Sequence, residues 1–279
     1  MLVKRTMSKN VVSVSVPGNR EKVLDLMRKE NKAVLPVVKE DTNKLVGVIT
    51  RSDLINNPDE EQIAMLMSRD LVTVSPSDDV TDVAKAMIEN DVRRVPVIND
   101  DEELVGIITS FDLVSKALTK LDVDEAVENY MITTVPTIWD KSPLNVAFES
   151  MKQFGLKSII ALDDNAKLSG ILTETDFIAE SEIISERSEH SSTVGTEGDK
   201  WSWDSTSVLY IEKNSLKFTD KVVGDVAVGN VEVANSKTKV SDCAKKMKSL
   251  NIEQIPVVGV EGELVGLVRA SDLIKALVE

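Results

Sequence analysis

Four aspartates hold the same place in a repeated pattern, and three of them follow a threonine by three residues: Thr50 and Asp53, Thr109 and Asp112, Thr173 and Asp176. In the fourth copy Arg269 takes the place of the threonine ahead of Asp272. A carboxylate in the first turn of a helix is favoured by the helix dipole and stays ionised. Its two acceptor oxygens match the paired 2′ and 3′ hydroxyls of a ribose. Helix N-terminal amides and a neighbouring threonine hydroxyl are donors suited to a phosphate or carboxylate. One such turn can therefore hold both a sugar and an anion. The same Thr-x-x-Asp spacing also fits a helix cap, which needs no ligand.

The elements that place these aspartates repeat with them. LVGVITRSDLI from Leu45, LVGIITSFDLV from Leu104, LSGILTETDFI from Leu168 and LVGLVRASDLI from Leu264 each read as a strand running into a helix. The glycines, Gly47, Gly106, Gly170 and Gly266, allow close backbone approach, and they stand 59, 64 and 96 residues apart. About ten residues before each glycine lies a short aliphatic strand, VLPVV, RVPVI, SIIAL or QIPVV, in which Pro36, Pro96 and Pro256 recur and Ile160 replaces the fourth proline. A helix precedes it. Val80, Val83, Ala84, Met87 and Ile88 fall on one helix face, with Ser77 and Asp78 where an N-cap is expected. Small extended stretches open the copies at Asn10, Leu71, Val135 and Val231. Each unit thus reads strand, helix, strand, strand, helix.

The long last gap locates an insertion at 181–222 between repeats at 1–58, 59–120, 121–180 and 223–279. Its acidic, Ser-rich first half reads as a surface loop. The second half, with Trp201, Trp203, Leu209, Tyr210, Ile211 and Phe218, is apolar enough to pack as a hairpin or against the repeats.

Composition narrows the functional classes. The 47 acidic and 33 basic residues give a net charge of −14, which repels phosphate backbones, so nucleic acid is not an expected partner. One His and one Cys exclude a Cys- or His-rich metal site and an internal disulfide. The polar start MLVKRTMSKN and the lack of an ~18-residue apolar run predict no membrane association and a cytoplasmic protein. His190 reads as an exposed residue, Cys243 as a core thiol, and Met27, Met87, Met151 and Met247 as core at one helix position. No nucleophile elbow or phosphate-binding loop is present.

The pattern resembles the cystathionine-β-synthase (CBS) domain over nearly the whole chain outside the insertion. The resemblance implies an α+β fold of tandem CBS repeats. Two repeats pair into a Bateman module, and two modules assemble into a disc, as in the gamma subunit of AMP-activated protein kinase and similar stand-alone archaeal proteins. Members of that group bind AMP, ADP, ATP or S-adenosylmethionine, with the motif aspartate on the ribose hydroxyls. The expected function is a non-catalytic adenosyl-ligand sensor that passes its occupancy to a protein effector, as monomer or homodimer and without metal. The alternatives are an enzyme related to inosine-monophosphate dehydrogenase and a ligand-free scaffold. The repeats fill the chain and leave no room for a ~250-residue catalytic barrel.

By the family's pattern, phosphate contacts come from residues three and two before the strand proline and from the two before the aspartate. Repeat two supplies Arg93 and Arg94 there, and guanidinium binds phosphate bidentately. Repeat one has Ala33 and Val34, then Arg51 and Ser52; repeat three Lys157 and Ser158, then Glu174 and Thr175; repeat four Glu253 and Gln254, then Ala270 and Ser271. Ser13, Thr73, Thr137 and Glu232 are expected to share one register and flank the adenine. Arg269 either adds a cation or blocks its pocket. The expectation is of unequal sites: one tolerating phosphate at Arg93 and Arg94, and a base-poor second module with Glu174, Glu232 and Glu253 that prefers a sulfonium ligand.

Overall fold

A computed structural model describes residues 1–57, 59–192, 207–218 and 220–278. Repeat one runs β1 (Val14–Val16), α1 (Arg20–Lys29), β2 (Val34–Lys39), β3 (Leu45–Thr50) and α2 (Arg51–Asn56). Repeat two follows a short helix α3 (Ile63–Leu66) with α4 (Val80–Glu89), β4 (Arg94–Ile98), β5 (Leu104–Thr109) and α5 (Ser110–Lys116). Repeat three has β6 (Thr137–Trp139), α6 (Leu144–Gln153), β7 (Ser158–Leu162), β8 (Leu168–Thr173) and α7 (Glu174–Glu180). The strands β9 (Ser181–Ser192) and β10 (Ser207–Phe218) precede α8 (Val223–Val226). Repeat four then supplies α9 (Val240–Leu250), β11 (Gln254–Val258), β12 (Leu264–Arg269) and α10 (Ala270–Leu273).

Helix faces follow from the apolar periodicity. Met27, Met87, Met151 and Met247 are each 0–3% exposed at the expected core position. The N-cap of α4 is Asp79, which accepts from the Thr81 amide at 3.0 Å; Asp78 instead closes the preceding turn by accepting from the Ser75 amide. The predicted cap is thus displaced by one residue, because two adjacent carboxylates compete for the same start.

In every repeat the two long strands pair antiparallel, with a bulge just after the residue facing the motif glycine: Val37 opposite Gly47, Val97 opposite Gly106, Ala161 opposite Gly170 and Val257 opposite Gly266. The opening stretch adds a parallel strand only in repeats one and three; Val74 and Ala234 make single bridges. Ile160 replaces a proline without disturbing the sheet, and its amide donates to the Pro136 carbonyl at 3.0 Å.

The segment ahead of each repeat crosses to its neighbour. Ser8 exchanges backbone hydrogen bonds with Ile107, Ser68 with Val48, Ile132 with Leu267 and Val228 with Ile171. Repeats one and two therefore interlock, as do three and four. The motif glycines make this possible: a Cβ on Gly47, Gly106 or Gly266 would stand 2.6–2.7 Å from the sulfur of Met67, Met7 or Met131. Their close approach is to the crossing chain, and this is the structural reason for glycine at that place.

The two interlocked pairs meet along two unlike seams. Repeats two and four share one core in which Val83, Met87, Leu113 and Leu118 cluster with Cys243, Met247 and Leu273. Repeats one and three keep separate cores, around Met27 and Ile49 and around Met151 and Leu172. They touch through polar side chains: Ser52 donates to Glu174 at 2.8 Å, Arg51 to Thr175 and Lys157 to Ser52. The four repeats thus close a ring.

The insertion departs from expectation in its first half. Ser181–Ser192 is not a loop but a strand, antiparallel to β10 with Ser181 opposite Phe218 and Ser192 opposite Ser207. That register places Glu182 opposite Lys217, Glu186 opposite Lys213 and Arg187 opposite Glu212. His190 lies opposite Leu209. Trp201 and Trp203 lie outside the described residues.

Candidate ligand-binding site

Each motif aspartate first serves its own helix. The Asp53 Oδ2 accepts from the Thr50 amide at 2.7 Å and hydroxyl at 2.8 Å; Asp112 does the same with Thr109 at 2.9 and 2.7 Å, and Asp176 with Thr173 at 2.7 Å twice. The capping reading of this spacing is therefore realised, and it consumes one carboxylate oxygen.

The second oxygen separates the four copies. Lys116 donates to Asp112 Oδ1 at 2.6 Å, and Arg269 Nη2 to Asp272 Oδ1 at 2.8 Å. Asp53 and Asp176 have no protein donor on Oδ1 among the described residues. Asp112 and Asp272 are buried, while Asp53 and Asp176 are half-buried. Two of the four carboxylates thus retain an open acceptor.

One of these lines a cavity of about 800 Å³ at the centre of the ring. Thr173, Thr175 and Asp176 enter it from repeat three, Arg51 and Asn31 from repeat one, Arg93, Arg94 and Ser110 from repeat two, and Arg269 and Ser271 from repeat four. Ile171, Val228 and Val231 supply an apolar wall beside Asp176. Val228 comes there because the segment before repeat four crosses onto β8.

Charge in this cavity is mostly paired. Arg94 meets Glu253 at 3.2 Å, Lys157 meets Glu174 at 3.2 Å, and Glu232 is held by Lys246. Among the described residues, Arg51 and Arg93 have no carboxylate in contact. Arg51, 4% exposed, donates to Thr175 and Asn31, and its buried Nε has no partner. The Arg93 guanidinium has no hydrogen-bond partner among the described residues. Burial pushes both below the usual arginine value, and for Arg93 the neighbouring Arg94 adds to the effect. Clustered, desolvated guanidiniums that remain charged create a potential that favours an anion.

The two expected sites therefore merge. Arg93 and Arg94 do not face Asp112, whose second oxygen Lys116 fills; they share the cavity of Asp176 with Glu174, Glu232 and Glu253. The second module's pocket is not base-poor, because ring closure carries Arg51, Arg93 and Arg94 into it from the first module. Of the predicted residues, Arg51, Arg93, Arg94, Thr173, Asp176 and Ser271 line the cavity. Thr50, Asp53, Thr109, Asp112, Asp272, Ser13, Thr73 and Thr137 do not, and Ser52 lies in the seam between repeats one and three.

The adenine register also needs correction. The bridges of Val14, Val74, Ile138 and Ala234 place Val233, not Glu232, in line with Ser13, Thr73 and Thr137. Asn31 and Asn251 line the cavity unpredicted. They occupy left-handed positions after α1 and α9, as Asp91 and Gly155 do after α4 and α6, so a small polar residue or glycine past each helix was the available signal.

The CBS domain pattern matches at residues 3–60, 62–118, 127–182 and 223–279. The chain belongs to the CBS-domain family. MJ1225 of Methanocaldococcus jannaschii, proposed to be an archaeal homologue of γ-AMPK, is 22% identical over 98% of each chain, and its crystal structure superposes with a TM-score of 0.77 over 99% of both. An uncharacterized conserved protein from Pyrococcus horikoshii is 27% identical over 99% of this chain and 100% of its own, with a TM-score of 0.66. The CBS pair of protein MJ0100, in complex with 5′-methylthioadenosine and S-adenosyl-L-methionine, is 31% identical over 40% of this chain and 92% of its own, with a TM-score of 0.37. CBS repeats thus account for most of the chain. Among the described residues no helix is long and apolar enough to cross a membrane.

Proposed function

We propose that this CBS protein is a non-catalytic sensor of an adenosine nucleotide, bound in the central cavity with its ribose on Asp176 and its phosphate on Arg51 and Arg93. The observation that carries the reading is the coincidence of unmatched groups: among the described residues, two guanidiniums without a bonded carboxylate share a cavity with a carboxylate that has one oxygen free of protein donors. A nucleotide supplies an anion for the first and a vicinal diol for the second. Ile171, Val228 and Val231 offer the base an apolar wall. Glu232 and Glu253 are already paired with cations, which argues for a phosphate over the sulfonium of S-adenosylmethionine. AMP asks for fewer cations than ADP or ATP.

The carboxylates Glu174, Glu232 and Glu253 that line the cavity are each held by a lysine or by a serine or arginine partner, which favours a binding over a catalytic reading. Occupancy reaches the rest of the protein through Glu174 and Thr175, the two residues before Asp176. They bond to Ser52 and Arg51 of the other module. A ligand that draws Arg51 onto a phosphate biases that seam by its differential affinity for the two arrangements, and a protein effector reads the seam.

Calorimetry with AMP, adenosine, ATP and S-adenosylmethionine tests this. AMP is expected to bind more tightly than adenosine, and Asp176→Asn to weaken AMP roughly 10- to 150-fold, the worth of about 1.5–3 kcal/mol for a hydrogen bond to a charged group. If adenosine matches AMP and Arg93→Gln changes neither, the phosphate assignment fails. Absence of binding by all four compounds leaves a ligand-free scaffold.

A further inference from the structure

Asp272 differs from the other motif aspartates in that both of its oxygens are taken by one side chain. Arg269 donates Nε to Oδ2 at 2.8 Å and Nη2 to Oδ1 at 2.8 Å, and its own amide reaches Oδ2 at 3.1 Å. Asp272 is 3% exposed beneath it. Bonding to Asp272 raises the Arg269 proton affinity above the usual arginine value, so the guanidinium stays charged. In repeats one, two and three the residue at this place is threonine, which engages Oδ2 alone.

A planar guanidinium gripping a carboxylate end-on also takes the Oδ1 that stays open in Asp176, so Asp272 keeps no oxygen for a ribose hydroxyl. We propose that Arg269 is a built-in occupant of repeat four: it takes the seat of the ribose on Asp272 and silences that site. The sequence left open whether Arg269 adds a cation or blocks; the fork it makes with Asp272 favours blocking. Lys116 is a different case, since it reaches only Asp112 Oδ1, through one ammonium that also bonds the Thr6 carbonyl. Lys116 frees Asp112 Oδ1 by breaking one bond to the carboxylate, whereas Arg269 must break two parallel bonds to Asp272.

This inference rests on the reading of the motif aspartates as ribose acceptors, and the test separates the two. The number of AMP equivalents bound per chain is counted by equilibrium dialysis for wild type, Asp272→Asn, Asp176→Asn and Arg269→Thr. Asp272→Asn is expected to leave the wild-type count and affinity unchanged, while Arg269→Thr, which restores the threonine cap of the other repeats, adds one equivalent. That added equivalent disappears in Arg269→Thr/Asp272→Asn. If Arg269→Thr folds by circular dichroism and adds none, or if Asp272→Asn alone removes a wild-type site, Arg269 is not the occupant. Should Arg269→Thr fail to fold, Asp272→Asn still decides, because only an open site can be lost. Wild type binding no AMP while Arg269→Thr binds one would uphold the occupant and overturn the sensor reading.

Discussion

Gly170 lies against the backbone of Val228, and a Cβ there would stand 2.9 Å from the Val228 carbonyl oxygen and 3.0 Å from the Ala227 Cβ. Val228 belongs to the chain that enters repeat four, so this contact locks the second module and forms one wall of the central cavity. Cavity and interlock therefore depend on the same close approach.

Gly170→Ala is accordingly expected to destabilise the protein by about 1–3 kcal/mol, the usual cost of overpacking. Gly106→Ala should cost less, because the nearest atom there is the Met7 sulfur, the far part of a flexible side chain. Urea midpoints of the two variants measure the difference. Equal costs would mean that the Val228 crossing yields as readily as a methionine side chain. Gly170→Ala should also weaken AMP, since it displaces Val228.

Arg93 is desolvated beside Arg94 and has no hydrogen-bond partner among the described residues, Glu253 and Glu174 offsetting this only at a distance, an arrangement that costs the empty protein stability. Replacing it with glutamine should leave the thermal midpoint of the unliganded protein unchanged or higher and reduce the midpoint increase caused by AMP. Ligand sites often trade stability for binding in this way. A lower unliganded midpoint would show that Arg93 is satisfied in the empty protein.

The two seams predict unlike responses to truncation. Leu113→Ala or Met247→Ala removes a fully buried side chain from the core that repeats two and four share, at a cost of about 2–5 kcal/mol. Ser52→Ala removes two partly exposed polar contacts between repeats one and three, to Glu174 and from Lys157, worth about 1 kcal/mol each at most. Denaturation of the three variants checks the order. A Ser52→Ala cost matching that of Leu113→Ala would place the weight of assembly on the polar seam.

What the sequence showed and hid follows from the range of the interactions. The four methionines and the Thr-x-x-Asp caps were legible because both depend on spacing within one helix turn or one helix face. The crossings were not, although Met7-Ser8, Met67-Ser68 and Met131-Ile132 recur ahead of three repeats, because Ser8 pairs with Ile107 across a long stretch of chain. The shared cavity was hidden for the same reason. Arg93 and Asp176 belong to different repeats and different modules, and only the seams of the ring bring them together. Within the insertion, β9 was obscured by its Ser and Glu content, which local composition assigns to loops, whereas its pairing with β10 depends on chain further along the sequence.

Cys243 gives the shared core a pH signature. The thiol is fully buried, and burial pushes it up from 9.0 to about 12, with Lys246 opposing slightly. Below pH 9 the thiol is protonated in both folded and unfolded chains and has no effect on the balance. Between about 9 and 12 the unfolded chain releases a proton that the folded one keeps, so the unfolded state binds fewer protons and stability falls as pH rises, by up to about 1.4 kcal/mol per pH unit. Cys243→Ala lacks this loss. Lysines and tyrosines titrate in the same range, but they are common to both proteins and drop out of the difference. Urea denaturation at a series of pH values above 9 should therefore show wild type losing stability more steeply than Cys243→Ala, and parallel curves would mean that the thiol ionises without opening the core between repeats two and four.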